Sequence, residues 1–229
     1  MEAVETVNDI VLQTVGLSKQ VSSPEGSLTI LDDINLEVRP GESVALIGPS
    51  GAGKTTLLAL LAGLDGPTAG EAWLCGENLT VMDEDGRARV RGEHVGFVFQ
   101  SFHLVPSLTA LENVMLPLEL NGDSAAAAKA REALTSVGLA ERTTHYPKQL
   151  SGGEKQRVAI ARAFVTKPDI LFADEPTGNL DSSSGDRVAN LLFDLNRQSN
   201  TTLVLVTHDR QLAERCERII ELEAGKVVR

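Results

Sequence analysis

The 229-residue chain is long enough for one large α/β domain, or for such a core with a small inserted subdomain, and too short for two full units of that kind. Its 42% hydrophobic and 23% charged residues exclude disorder and imply a buried core, while a formal net charge of -11 disfavours broad adhesion to DNA, RNA or anionic lipid, which need clustered positive charge.

The first residues, MEAVETVNDIVLQTVG, hold three acids and no base before Lys19, so they read as neither a secretory nor an organelle-targeting peptide. Residues 10 to 38 alternate with period two in places, as at Ile34, Leu36 and Val38, and predict antiparallel β-structure ending at Pro40-Gly41, a pair suited to a type II turn. Ser43 to Ile47 is a continuous apolar strand, Thr55 to Ala62 a helix, Glu71 to Leu74 a short strand turning at Gly76, and Val95 to Phe99 a further strand. From Ser101 to about Val165 the chain favours helix, with an alanine run at Ala125 to Ala133 expected on an exposed helix, and apolar residues at helical spacing at Val158, Ala161 and Val165. This segment is read as an inserted helical subdomain within a single domain spanning 1–229. Strand Ile170 to Ala173, a helix bearing Val188, Leu191, Leu192 and Leu195, strand Thr202 to Val206 and a hairpin around Gly225 complete the chain. Buried strands alternating with helices predict a mostly parallel sheet covered on both faces.

The longest apolar run, Leu57 to Leu64, is less than half of the ~20 residues that cross a bilayer, so any membrane spans must come from another chain. Cys75 and Cys216 lie far apart with no CxxC or Cys/His company, which suggests two reduced thiols in a cytosolic protein rather than a zinc or redox site.

Gly48-Pro49-Ser50-Gly51-Ala52-Gly53-Lys54-Thr55, followed by Thr56, fits a P-loop between a strand and a helix. Small residues let consecutive N–H groups curl around phosphate oxygens, Lys54 reaches the β- and γ-phosphates of ATP, and the Thr55 hydroxyl ligates Mg2+. Ile170 to Ala173 delivers Asp174 and Glu175 to the same sheet edge: Asp174 to hold the metal, Glu175 to polarise the attacking water. In isolation, a buried strand ending in an acidic pair is also an ordinary structural feature.

Leu150-Ser151-Gly152-Gly153-Glu154-Lys155-Gln156 resembles the LSGGQ signature of ABC ATPases, with Glu154 at the glutamine position. Ser151 is equally a plausible N-cap of the helix that follows, and the same geometry presents hydroxyl and N–H groups to an anion. The other landmarks of that family follow in order: Gln100 as the Q-loop glutamine, Gly178-Asn179-Leu180-Asp181 as the D-loop and His208 as the H-loop histidine. The resemblance implies a P-loop NTPase (RecA-like) α/β core with an antiparallel β-subdomain and an inserted helical subdomain. It also implies an ATP-hydrolysing subunit that sandwiches ATP with a second copy of itself, so that Ser151, Gly152, Gly153 and Glu154 of one copy face the nucleotide on Lys54 of the other. In that scheme Gln100 links Mg2+ to the surface that meets an integral membrane permease, Asp181 joins the two copies, and His208 contacts the γ-phosphate. The protein would sit peripherally on the cytoplasmic face of the inner membrane. His94, His103 and His145 match none of these landmarks and are read as surface or packing residues.

Phe97-Val98-Phe99-Gln100-Ser101-Phe102 with Glu112-Asn113-Val114, and Ala173 through Asp181, are similar to the lipoprotein-release and macrolide-export branch, and to its YbbA-like members in particular. The branch implies a permease with few transmembrane helices and a large extracytoplasmic domain, driven in export, lipoprotein extraction or a mechanical stroke. Val21 stands about where the family places an aromatic residue that stacks on adenine, and valine cannot stack. Chromosome-maintenance ATPases, which split the same motifs with a long coiled coil, and translation factors with two such units per chain fit less well. A regulator that hydrolyses slowly as a timing device is a further alternative, although Glu175 and His208 are both present.

Overall fold

The computed structural model describes residues 10–23 and 26–228; the N-terminal acidic segment, residues 1–9, lies outside them. Strands β1 (Leu12–Ser23) and β2 (Gly26–Val38) form a long antiparallel pair. On β2 the predicted alternation holds, with Ile34, Leu36 and Val38 buried. Gly41, at φ 77°, makes the turn after Pro40, with Glu42 N–H donating to Arg39 O. Then come β3 (Ser43–Ile47), α1 (Lys54–Leu61), β4 (Ala69–Leu74), β5 (Glu77–Asn78), α2 (Glu84–His94) and β6 (Val95–Phe99). Helices α3 (Ala110–Leu120), α4 (Ala126–Ser136) and α5 (Gly152–Phe164) fill the interval before β7 (Ile170–Asp174). The chain ends with α6 (Ser182–Ser199), β8 (Thr202–Val206), α7 (Arg210–Ala213) and the hairpin of β9 (Arg218–Glu223) and β10 (Lys226–Val227).

Two sheets result. One is antiparallel, ordered β2-β1-β4-β5; the other is ordered β10-β9-β3-β8-β7-β6 and is parallel except for the terminal hairpin. Strand alternation divides the interior between them. Val44, Leu46, Ile170, Phe172, Val204 and Val206 join the layer that holds α1 and the antiparallel sheet. Their strand neighbours Ala45, Leu171, Ala173, Leu203 and Leu205 point to the opposite layer, with α3 to α6. Burying a side chain such as Phe172 contributes about 1.5–3 kcal/mol, so every central strand is fixed from both faces.

Two elements depart from the sequence reading. The alanine helix is not simply exposed: Ala126, Ala130 and Leu134, four residues apart, form a buried stripe on α4. Helix α2 had no apolar periodicity to announce it and buries only Val90; Asp83 caps it, accepting from Gly86 N–H at 2.9 Å, with Arg87 and Arg91 paired to Glu84.

Candidate functional site

The C-terminal ends of β3, β7 and β8 converge on one edge of the parallel sheet. From β3 the chain enters the loop 48–53, whose shape depends on glycine. At Gly48 (φ 149°) an added Cβ would lie 2.1 Å from Leu222 O, and at Gly53 (φ 97°) one would lie 2.8 Å from Leu31 Cδ2. Neither place admits a side chain. Helix α1 therefore starts with no side-chain cap and its first N–H groups are left for a ligand. Lys54 folds back over the loop and donates to Gly48 O at 2.8 Å and Pro49 O at 2.9 Å. These are carbonyls that an anionic phosphate could outcompete for an ammonium group.

Strand β7 carries Asp174 toward α1, where the Thr55 side chain lies near its carboxylate. Burial pushes the Asp174 carboxyl above its ordinary range, and the neighbouring Glu175 charge adds to this, while Thr55 and Lys54 pull the other way. Glu175 leaves the strand in a left-handed conformation (φ 46°), with its N–H donating to Val206 O at 2.9 Å. That twist turns its carboxylate toward the end of β8, where Oε1 lies 2.8 Å from His208 Nδ1 and Oε2 accepts from Thr207 Oγ1 at 3.5 Å. The sheet thus brings Lys54, Thr55, Asp174, Glu175 and His208 to one edge. Glu175 is mostly buried and His208 reaches into solvent.

The signature is built differently. Ser151 caps α5 in a reciprocal box: its hydroxyl accepts from Glu154 N–H at 3.2 Å, and Glu154 Oε2 accepts from Ser151 N–H at 2.8 Å. Arg142, which the sequence did not single out, donates to Glu154 Oε1 at 2.9 Å. The backbone N–H of Ser151, then Arg142, hold the Glu154 carboxyl down at about 2. A Cβ at Gly152 would approach Leu180 to 3.2 Å and one at Gly153 would approach Ser184 to 3.4 Å, so this turn packs on the start of α6. Asp181 caps α6, accepting from Ser184 N–H at 3.0 Å and Ser183 Oγ at 2.8 Å, and its carboxyl is also lowered to about 2. The hydrogen bonds of Ser151 and Glu154 among the described residues go to these neighbours, and none goes to the P-loop.

Gln100 follows β6, and its hydrogen bonds tie it to the D-loop: Gln100 Nε2 donates to Asn179 Oδ1 at 3.3 Å and Asn179 Nδ2 donates to Gln100 O at 3.0 Å. Beyond it Phe102 (φ 61°) and His103 (φ 47°) form a left-handed elbow. The Arg162 guanidinium holds this elbow, donating to both of its carbonyls. Arg162 follows Lys155 by two helical turns on α5, so no local pattern singles it out. In the segment after Gln100, Leu104 packs against the helical layer. Beside it opens a groove of about 400 Å³ lined by Phe97, Phe99, His103, Pro117 and Leu120, and Leu120 is 79% exposed. Val21 lies opposite Leu28 in the antiparallel pair and is 39% exposed.

A glycine-built phosphate loop, two adjacent carboxylates at the end of one parallel strand and a serine-capped signature helix define a nucleotide-hydrolysing cassette. The ABC transporter family matches residues 31–178, and the chain belongs to that family as an ATP-binding, ATPase subunit. It is 56% identical over 213 residues to the uncharacterized ABC transporter ATP-binding protein YbbA of Escherichia coli K12, covering 92% of this chain and 93% of YbbA. It is 48% identical over 219 residues to the lipoprotein-releasing system ATP-binding protein LolD of Xanthomonas oryzae pv. oryzae, covering 95% and 90%. A solved structure of the ATP-binding cassette MJ0796, a dimer in a post-hydrolysis state bound to ADP and Pi, superposes with a TM-score of 0.88 at 41% identity, covering 95% of this chain and 97% of that one. Among the described residues no helix is long and apolar enough to cross a membrane.

Proposed function

We propose that the whole chain acts as one ATP-driven motor: two copies close on ATP, hydrolyse it, and pass the movement to an integral membrane permease from the cytoplasmic face of the inner membrane. The observation that carries this reading is the separation of the site into two halves within one chain, with Lys54, Asp174, Glu175 and His208 at the sheet edge and Ser151, Gly153 and Asp181 at the starts of α5 and α6, where the side-chain hydrogen bonds of Ser151 and Asp181 among the described residues stay within those helix starts. The dimeric state of the MJ0796 cassette supports pairing.

In this reading the N–H groups of loop 48–53 and of Thr56 cradle the phosphates, and Lys54 exchanges its two loop carbonyls for phosphate oxygens. The donors at Thr55 and Asp174 are oxygen atoms, one from a carboxylate, which suits a hard cation such as Mg2+, and Gln100 completes that set from the Q-loop. Mg2+ would supply charge neutralisation on the β- and γ-phosphates. Glu175 accepts the proton of the attacking water, and His208, exposed at the edge, holds the Glu175 carboxylate and reaches the γ-phosphate. Ser151, Gly152, Gly153 and Glu154 of the second copy present the N-terminus of α5 to the same phosphate. The likeness to LolD supports a permease partner and work on lipoproteins or other exported cargo, by extraction or mechanical transmission.

Two experiments test this. Glu175→Gln with ATP should elute as a dimer, and adding Ser151→Arg should return it to monomer; a double variant that still dimerises overturns the shared site. For the permease, Leu120→Glu at the rim of the groove is a better probe than Leu104, whose charge substitution would disturb the core. Leu120→Glu should keep soluble ATPase activity and abolish co-purification with an integral membrane protein. Unimpaired co-purification removes the groove from the argument.

A further inference from the structure

Cys75, His94 and Asp169 lie well apart in sequence and are brought together by three different elements: the β4–β5 turn, the last residue of α2, and the residue leading into β7. One ligand atom from each (the thiol sulphur, an imidazole nitrogen and a carboxylate oxygen) lies within 4.8 Å of the other two. No local sequence pattern announces this grouping, because the three residues come from separate elements. We propose that Cys75, His94 and Asp169 form a binding site for a borderline-soft divalent cation of the Zn2+ class, outside the nucleotide site and independent of it.

Three observations support it. Sulphur, nitrogen and oxygen donors in threes, with an open fourth position, match three-ligand zinc sites, whereas a thiol does not suit Mg2+ or Ca2+. Cys75 occupies the first central position of a two-residue hairpin turn at φ 50°, ahead of Gly76 at φ 82°, between the paired residues Leu74 and Glu77. Such turns favour Asn, Asp or Gly, so the cysteine is held where backbone preference argues against it. His94 Nδ1 lies 2.6 Å from Asp169 Oδ2, while its Nε2 lies 3.8 Å from Glu93 Oε2. A metal on Nδ1 would replace the proton between His94 and Asp169 and widen that gap to about 3.3 Å, the edge of a tetrahedron with bonds near 2 Å. Asp169 is exposed enough to swing outward, and the opposite ring nitrogen would carry its N–H toward the Glu93 carboxylate, which orients a ligating histidine.

Binding forms a metal–sulphur bond and releases the thiol proton to solvent. Because the thiol must lose its proton to bind, affinity should rise with pH. The bound ion would clamp the antiparallel sheet and α2 to the root of β7, the strand that ends in Asp174.

Co2+ titrated into the metal- and nucleotide-free full chain tests this, because a thiolate ligand gives cobalt a near-ultraviolet charge-transfer band. The expected result is one equivalent of Co2+ with that band, displaced by Zn2+ and unaffected by Mg–ATP. Cys75→Ser should abolish the band, Cys216→Ser should keep it, and Asp169→Asn, which retains the shape of its side chain, should weaken Co2+ binding by about tenfold or more. Absence of the band in the wild type, its persistence in Cys75→Ser, its loss in Cys216→Ser or with Mg–ATP, or unchanged affinity in Asp169→Asn overturns the proposal.

Discussion

The sheet edge and the signature turn handle negative charge in opposite ways. At the sheet edge Asp174 and Glu175 are adjacent acids, partly or mostly buried, and burial raises Asp174 above its ordinary range. At the signature, Glu154 sits at a helix N-terminus with its carboxylate bound by the Ser151 N–H and by Arg142, and is held at about 2. The first holds unfavourable electrostatics between neighbouring acids; in the second the Glu154 carboxylate is satisfied by its neighbours in the chain. Unfavourable electrostatics and a left-handed backbone are therefore concentrated at the sheet edge, whereas the signature turn is a well-capped helix end.

The comparison breaks most visibly through Glu175. Glu175→Gln removes the carboxylate while keeping its shape, and steady-state ATP turnover should fall by about 10² to 10⁴ with ATP still bound. Turnover equal to wild type would deny the sheet-edge half its chemical role. A smaller effect is expected at Lys54, whose charged hydrogen bonds are worth about 1.5–3 kcal/mol, so Lys54→Ala should weaken ATP binding roughly tenfold to a hundredfold in an equilibrium titration. The smallest effect sharpens the signature side. Glu154 is lowered from its usual 4.5 to about 2 in the folded protein, so its contribution to stability is present above about pH 4.5 and is lost as pH falls toward 2. Glu154→Gln should melt lower than wild type at pH 7, and the gap should close on acidification through that window. A gap independent of pH would mean that the cap acts through shape alone.

Much of this was legible beforehand, and the exceptions have physical causes. The phosphate loop could be read because its residues are contiguous, and the central strands because burial on both faces makes them uninterrupted apolar runs. Helix α2 could not, since a helix that buries one valine has no apolar stripe to reveal it. Alanine defeated the burial reading of α4, because a small residue serves either face equally well. Arg142 and Glu154 meet across a short 3-10 turn, and Cys75 and His94 meet Asp169 only once the two sheets are stacked, so neither grouping leaves a local pattern. Glu175 was legible as the acidic end of a strand and His208 only through family resemblance; their pairing left no local pattern, and the geometry supplies its cause in the left-handed turn at Glu175.

That turn also gives meaning to the order of the two acids. Along β7 even-numbered residues look toward α1 and odd-numbered ones toward the helical layer, so Asp174 inherits from Ile170 and Phe172 the parity that carries it to Thr55. Glu175 would by the same count point into apolar packing, and escapes only because the backbone reverses its twist at that residue. Counting residues, and one break in the count, thus sends two adjacent carboxylates to different neighbours. Exchanging them would keep composition and charge while putting the longer acid under α1 and the shorter one beside His208. In this strand Asp-Glu and Glu-Asp are different machines.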